Sequence, residues 1–197
     1  MKIIKRQKNN GFTLIELMVA TTIFISIMLV SMGSLFVTLD SARSSRALRF
    51  AMDNVNFAME SMTRSIRMGT NYVCVNEGVS IIMVNNNDQT LDCGSGGKFI
   101  AFMPQNSTPL IPNNNRVGYQ SVDRGNGTKS LVRYEGSTPV DIVSPDVNVE
   151  TLNFVVVGSS PSDNLQASVY ITMKGTVIIK GIETSFAIQT LASQRNF

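Results

Sequence analysis

The hydrophobic pattern divides the chain into a continuous apolar run, a segment with helical spacing and a series of short runs with period two. Residues 12–39 read FTLIELMVATTIFISIMLVSMGSLFVTL, where nineteen of 28 side chains are apolar and one, Glu16, is charged. As a helix this run is about 42 Å long at 1.5 Å per residue, enough to cross a hydrocarbon core of about 30 Å with tilt. In residues 40–68, Leu48, Met52, Val55, Met59, Met62 and Ile66 follow one another at intervals of 4, 3, 4, 3 and 4, a single helical face. Arg49, Asn54, Asn56, Glu60, Arg64 and Arg67 fall largely off that face. No proline precedes Pro104 and no glycine lies between Gly33 and Gly69. The pattern therefore predicts one helix from about Phe12 to about Met68, with Gly69 as its stop and Arg64 and Arg67 in its last turns. Its first half should be bare and its second half packed against a domain. The methionine-rich stripe reads as core packing rather than as a ligand-binding face.

Beyond Gly69 the pattern becomes β-like. Val79–Val84 and Lys98–Phe102 are strand candidates around the turn-rich NNNDQTLDCGSGG, and Pro104–Asn115 reads as loop. Val117–Gln120 and Leu131–Tyr134 read as a hairpin around Asp123-Arg124-Gly125-Asn126-Gly127. The last strands predicted are Thr151–Val157, Leu165–Met173 and Thr176–Leu191, the final run being long enough to bend or to hold two strands around Gly181. Strands joined by short turns after one long helix argue for an α+β fold with one antiparallel sheet, whose apolar face would cover the stripe from Leu48 to Ile66.

Composition and charge narrow the picture. The 197 residues suffice for one domain plus an appendage, and 43% apolar content allows a packed core. The absence of His and Trp excludes His-based catalysis and His metal sites. The formal charge of +3 is uneven: Lys2, Lys5, Arg6 and Lys8 precede the apolar run with no acid among them, and the remainder carries 13 basic and 14 acidic side chains, a net of −1. The first cation after the run is Arg43, so the positive-inside bias puts the N-terminus in the cytoplasm and the residues beyond 40 outside. A secretory signal would have a shorter apolar run followed by a small-x-small cleavage site. Gly33, flanked by Ser31 and Ser34, marks either a point that bends or melts on assembly or a close helix–helix contact through a small residue.

Glu16 is the anomaly of the apolar run. A carboxylate in an apolar helix costs several kcal/mol unless it finds a partner, a proton or the interface. Gly11-Phe12-Thr13-Leu14-Ile15-Glu16-Leu17, behind its basic leader, resembles the cleavage and methylation motif of type IV prepilins and type II secretion pseudopilins. The resemblance implies that a membrane-embedded prepilin peptidase cuts after Gly11 and that the new amino group of Phe12 is methylated. It also implies that the Phe12 ammonium pairs with the Glu16 carboxylate of a neighbouring subunit. Such a pair neutralises two charges that lipid penalises separately. Ser185–Asn196 is similar to the terminal strand of larger minor pseudopilins of the J type and of related minor pilins, as is the stem from Arg46 to Tyr72.

The expected organisation is a cleaved basic leader at 1–11, a transmembrane and assembly half-helix at 12–39, an amphipathic half-helix at 40–69 and a β-sheet domain at 70–197. Cys74 and Cys93 would lie outside the cell, where a disulfide is the natural reading and two reduced, buried thiols the alternative. Asp88 and Asp92 sit in an asparagine-rich loop. They are weak calcium candidates, or simply turn residues, and no other metal site or cofactor is expected. Arg43, Arg46 and Arg49 could meet lipid headgroups or DNA, but a solvated helix face is the simpler reading and no nucleic-acid partner is expected. No nucleophile–base pair can be drawn. The resemblance thus implies a non-enzymatic, type IV pilin-like minor subunit of a type II secretion pseudopilus. Its partners would be other pilin or pseudopilin subunits in a homo- or hetero-oligomeric filament, the prepilin peptidase and the cytoplasmic membrane. The alternatives are a minor pilin of a type IV pilus, serving adhesion, motility or DNA uptake, and a membrane-anchored surface binding protein that does not assemble.

Overall fold

The computed structural model describes residues 11–76, 90–105, 116–135, 138–160, 162 and 164–195. It comprises one long helix, α1 (Leu14–Arg67), and the strands β1 (Gly69–Val75), β2 (Phe99–Pro104), β3 (Val117–Asp123), β4 (Lys129–Glu135), β5 (Thr138–Asp141), β6 (Val147–Val157), β7 (Ser168–Ile179) and β8 (Ile182–Ser193). The chain forms two units, one ending at Ser45 and one spanning Arg46–Phe197. In the first, α1 is unbroken through Gly33 and every described residue up to Ser41 is exposed. Thr21, Thr22, Ser26, Ser31 and Thr38 donate their hydroxyls to main-chain carbonyls three or four residues earlier, at 2.8–2.9 Å. This back-bonding satisfies each hydroxyl within its own helix and leaves an apolar exterior.

In the second unit the helix buries Ala51, Val55, Ala58, Met59, Met62 and Ile66. The expected stripe is therefore met in its lower part. At its top Leu48 and Met52 are only partly buried, and the small Ala51 and Ala58 take up the contact, because small side chains let the backbone approach the sheets. These residues join one core cluster with Tyr72, Phe102, Tyr119, Leu131, Phe154 and Ile171.

The strands form two sheets rather than the single one expected. A five-stranded sheet has the order β1-β2-β3-β4-β5 and a three-stranded sheet the order β6-β7-β8, all pairs being antiparallel. The segment between β1 and β2 joins them. Leu91 exchanges main-chain hydrogen bonds with Tyr72 and Cys74 of β1, while Gly97 exchanges two with Phe154 of β6, at 2.7 and 2.8 Å.

The helix ends as expected, although Gly69 plays another part there, and several strand boundaries differ for physical reasons. The helix does stop before Gly69, but Gly69 does not have a positive φ and is not a left-handed cap. A Cβ there would strike the Phe102 ring, so glycine serves close packing instead. The residues after it include a bulge: Thr70 faces Met103 and Val73 faces Ala101, with Asn71 at φ +53°. Tyr72 is thereby turned inward, and its hydroxyl reaches the carbonyls of Ile66 and Gly69 at 2.8 and 2.7 Å, closing the helix end. The expected break between Met173 and Thr176 is absent: β7 runs on through Gly175, which faces the β6 bulge at Val149 and Glu150 and where a Cβ would strike the Asn148 carbonyl. The turn falls at Lys180 and Gly181, with φ +52° and +78°, where Ile179 pairs with Ile182. This is the two-residue geometry that suits strand twist. The Leu165 start also moves, to Ser168, after Asn164 at φ +54°. Pro104, expected in loop, ends β2, while β1 and β5 were not foreseen. The candidate strand Val79–Val84 lies outside the described residues.

The expected hairpin is present as β3 and β4, turning through Gly125 and Gly127 at φ +80° and +78°. Arg124 in that turn reaches across to hold the β5–β6 connection. It donates from Nη1 to the Val147 carbonyl and from Nη2 to Ser130 Oγ, both at 2.9 Å.

Candidate functional site

The candidate site is the N-terminal segment Gly11–Leu17. Gly11, Phe12 and Thr13 precede the helix in an irregular stretch, and Phe12 is 82% exposed. Among the described residues nothing lies within 4 Å of a Cβ placed on Gly11, so none of them covers the bond between Gly11 and Phe12. Thr13 starts the helix: its carbonyl accepts from Leu17 N at 3.2 Å and its Oγ1 accepts from Glu16 N at 3.4 Å. Thr13-Leu14-Ile15-Glu16 is thus a T-x-x-E sequence at a helix N-terminus, the arrangement that satisfies the first free main-chain donors. That signal was legible in the sequence and gives Glu16 a local reason to stand in the first turn, where the helix dipole favours an anion.

The local arrangement does not neutralise Glu16. Among the described residues it takes part in no salt bridge, and the nearest cation after it in sequence is Arg43. Glu16 is the one charged side chain in the apolar run, standing one helical turn beyond Phe12. A free amino group created at Phe12 would supply the opposite charge at this end of the helix. The helix itself is long and apolar enough to cross a membrane, with a mean hydropathy of 2.2 over 18 residues.

The other sequence candidates fall in the second unit or outside the described residues. Cys74 and Cys93 are joined in a disulfide with a Cα–Cα distance of 5.6 Å across a separation of 19 residues. The bond ties β1 to the segment that reaches β6, where Cys93 N donates to the Val156 carbonyl at 3.1 Å. Gly97 is required beside it, since a Cβ there would lie 2.5 Å from Cys74 Sγ. Asp92 spends its carboxylate on the β6–β7 loop, accepting from the main-chain N–H groups of Gly158 and Ser159 at 3.0 and 3.1 Å and from the Ser159 hydroxyl. It is a loop staple rather than an open ligand. Asp88 lies outside the described residues, and no group of three or more Cys, Asp or Glu suited to a metal occurs among them. Arg43, Arg46 and Arg49 are exposed on α1.

Residues 6–37 match the family model of the prokaryotic N-terminal methylation motif. No curated protein and no solved structure matches the chain significantly. The motif implies processing by a prepilin peptidase and pilin-type assembly. The motif, the exposed helix that is long and apolar enough to cross a membrane, and the α+β arrangement of one long helix followed by antiparallel sheets are together consistent with a type IV pilin-like protein.

Proposed function

We propose that the protein is a non-enzymatic minor pseudopilin subunit, of the J type, that assembles through α1 into a type II secretion pseudopilus. In this reading it waits in the cytoplasmic membrane with its basic leader inside and its β-sheet domain outside. A prepilin peptidase cuts after Gly11, and Phe12 receives the methyl group. Assembly then brings the Phe12 ammonium of one subunit to the Glu16 carboxylate of the next.

The observation that carries the reading is Glu16 itself. It is one carboxylate in an exposed apolar helix, placed at the first turn behind an accessible Gly11-Phe12 bond and without a cation among the described residues. Lipid makes an unpaired charge at that depth costly, and an ammonium from a neighbour removes the cost while setting the register between helices. A non-enzymatic role is supported by the lack of histidine and by the engagement of both cysteines in a disulfide.

Mass spectrometry of the N-terminal peptide from native protein tests the processing step. The expected peptide begins at Phe12 and carries one methyl group. Gly11→Val is expected to retain the leader, and a normal mature mass in that variant would refute the cut. Glu16→Ala should still insert in the membrane but be depleted from sheared filaments. Equal recovery with wild type would remove the pairing.

A further inference from the structure

The chain holds two Asn-Gly pairs, Asn10-Gly11 in the leader and Asn126-Gly127 in the β3–β4 turn. Both residues of the second pair are exposed to water. Asn126 Oδ1 accepts from Thr128 N at 3.0 Å and from Thr128 Oγ1 at 2.6 Å, so two donors converge on one amide oxygen. Among the described residues no hydrogen bond engages the Gly127 N–H. Gly127 has φ +78° and open space where a Cβ would stand, so no side chain of its own or of a described neighbour crowds that nitrogen.

The same turn is a joint between the two sheets. Arg124 N donates to the Thr128 carbonyl at 2.9 Å across it, and Asp123 pairs with Lys129 just beyond. Lys129 N donates to Asn148 Oδ1 of β6 at 2.8 Å, and the Arg124 guanidinium donates to the Val147 carbonyl at the start of β6. A change in main-chain length between Arg124 and Thr128 is therefore felt in both sheets.

From these features we infer that Asn126 is a self-modification site, where the folded chain converts asparagine to aspartate and isoaspartate with water as co-reactant and Thr128 as promoter. Hydroxide takes the Gly127 amide proton, and the nitrogen attacks Asn126 Cγ. A new C–N bond forms, and the carboxamide nitrogen leaves as ammonia. Water then opens the five-membered imide. Breaking the new bond at Cγ gives aspartate, and breaking the bond from Gly127 N to the Asn126 main-chain carbonyl carbon gives isoaspartate. One water enters, one ammonia leaves, and nothing is oxidised or reduced. Negative charge grows on Asn126 Oδ1 during the attack, where both Thr128 donors already point. Isoaspartate carries one extra main-chain carbon, so the Arg124–Thr128 and Asp123–Lys129 pairs cannot both keep their places. The inference rests on the sheet domain and is independent of how the N-terminal helix assembles.

The test ages the full chain in detergent micelles at neutral and mildly alkaline pH and maps its peptides by mass spectrometry, with fragmentation that separates aspartate from isoaspartate. The peptide containing Asn126 should gain both products, faster as pH rises. Thr128→Val, which keeps the main-chain donor and loses the hydroxyl, should slow the conversion by about tenfold, the worth of one hydrogen bond. Thr128→Ser should restore the rate, and Thr128→Ala gives the slow readout should valine disturb the turn. In the converted chain the amides of Arg124 and Lys129 should lose hydrogen-exchange protection, while Asn126→Ser aged in parallel keeps it. An Asn126 that stays intact in the folded chain but converts in urea would overturn the inference, because the fold would then shield the site. Equal rates in wild type and Thr128→Val would overturn the part given to Thr128, and unchanged protection after conversion would overturn the loosening of the joint.

Discussion

From Leu14 to Asp40, α1 exposes Leu, Ile, Val, Met and Phe side chains on every face, whereas from Ala51 to Ile66 the same helix buries one face in a core where Val55, Met62 and Ile66 have no accessible surface. Both stretches are helical and both are rich in large apolar residues. They differ in how polar groups are distributed. The upper stretch turns its hydroxyls back onto its own carbonyls and keeps one charge near its start. The lower stretch separates apolar from charged positions and gains its stability from two sheets. A helix apolar all round finds no packing partner among the described residues, and its surface suits lipid or other helices. An amphipathic helix finds its surroundings by folding.

Side-chain truncation is the strongest way to break that contrast. Phe154→Ala, at a residue with no exposed surface beside the core face of α1, should lower the unfolding free energy of the sheet domain by about 3–5 kcal/mol. Leu29→Ala in the exposed stretch should leave the domain's unfolding unchanged, since Leu29 makes no core contact. Denaturant titrations of both variants in detergent measure the difference, and similar losses would erase the distinction between the two stretches.

Reduction of Cys74–Cys93 should come next in size. The chain-entropy model gives about 3 kcal/mol for a loop of this length. The loss should appear as a lower melting temperature of the sheet domain while the helicity of the exposed stretch persists. An unchanged transition would show that the bond does not hold β1 to the segment on β6.

The smallest effect concerns the end of α1. Tyr72→Phe removes the hydroxyl that meets the Ile66 and Gly69 carbonyls and should cost about 1 kcal/mol. Burial raises the Tyr72 pKa above the ordinary value of 10.0, and burial likewise raises that of Tyr119. The folded chain thus keeps these protons at a pH where the unfolded chain releases them. Stability from this source is intact below pH 10 and falls as pH rises above it. Melting curves across that range should flatten partly in Tyr72→Phe, and an identical alkaline slope would exclude Tyr72 as a contributor.

The helix and a change of character within it, placed at residue 40, could be read from spacing alone, while the structure divides the chain at Ser45. So could the Gly125–Gly127 hairpin and the pairing of the two cysteines, because local patterns and compartment logic carry them. The split into two sheets could not be read, since alternation states that a residue lies in a strand and not which strand lies beside it. β5 was hidden by its length and by Pro139. Gly69 follows the helix end as read, but that it and Gly175 are needed for closeness could not be read, because a glycine needed for closeness looks the same in sequence as one needed for a turn. Only the Phe102 ring and the Asn148 carbonyl separate the two cases. The sequence left Asp92 between a weak calcium candidate and a turn residue, and only the fold shows its carboxylate holding Gly158 and Ser159.

The N-terminal segment needed no fold to be recognised. Its chemistry depends on neighbours in sequence: a basic leader, Gly11, Phe12 and an acid one turn further on. A groove between β8 and the last turns of α1 depended entirely on tertiary structure. Arg67 and Arg195 are separated by most of the domain in sequence, and they line one wall only because the strand's end hydrogen-bonds to the helix's end. Residues a few positions apart are placed by the local backbone, whereas residues this distant are placed by the packing of the whole core.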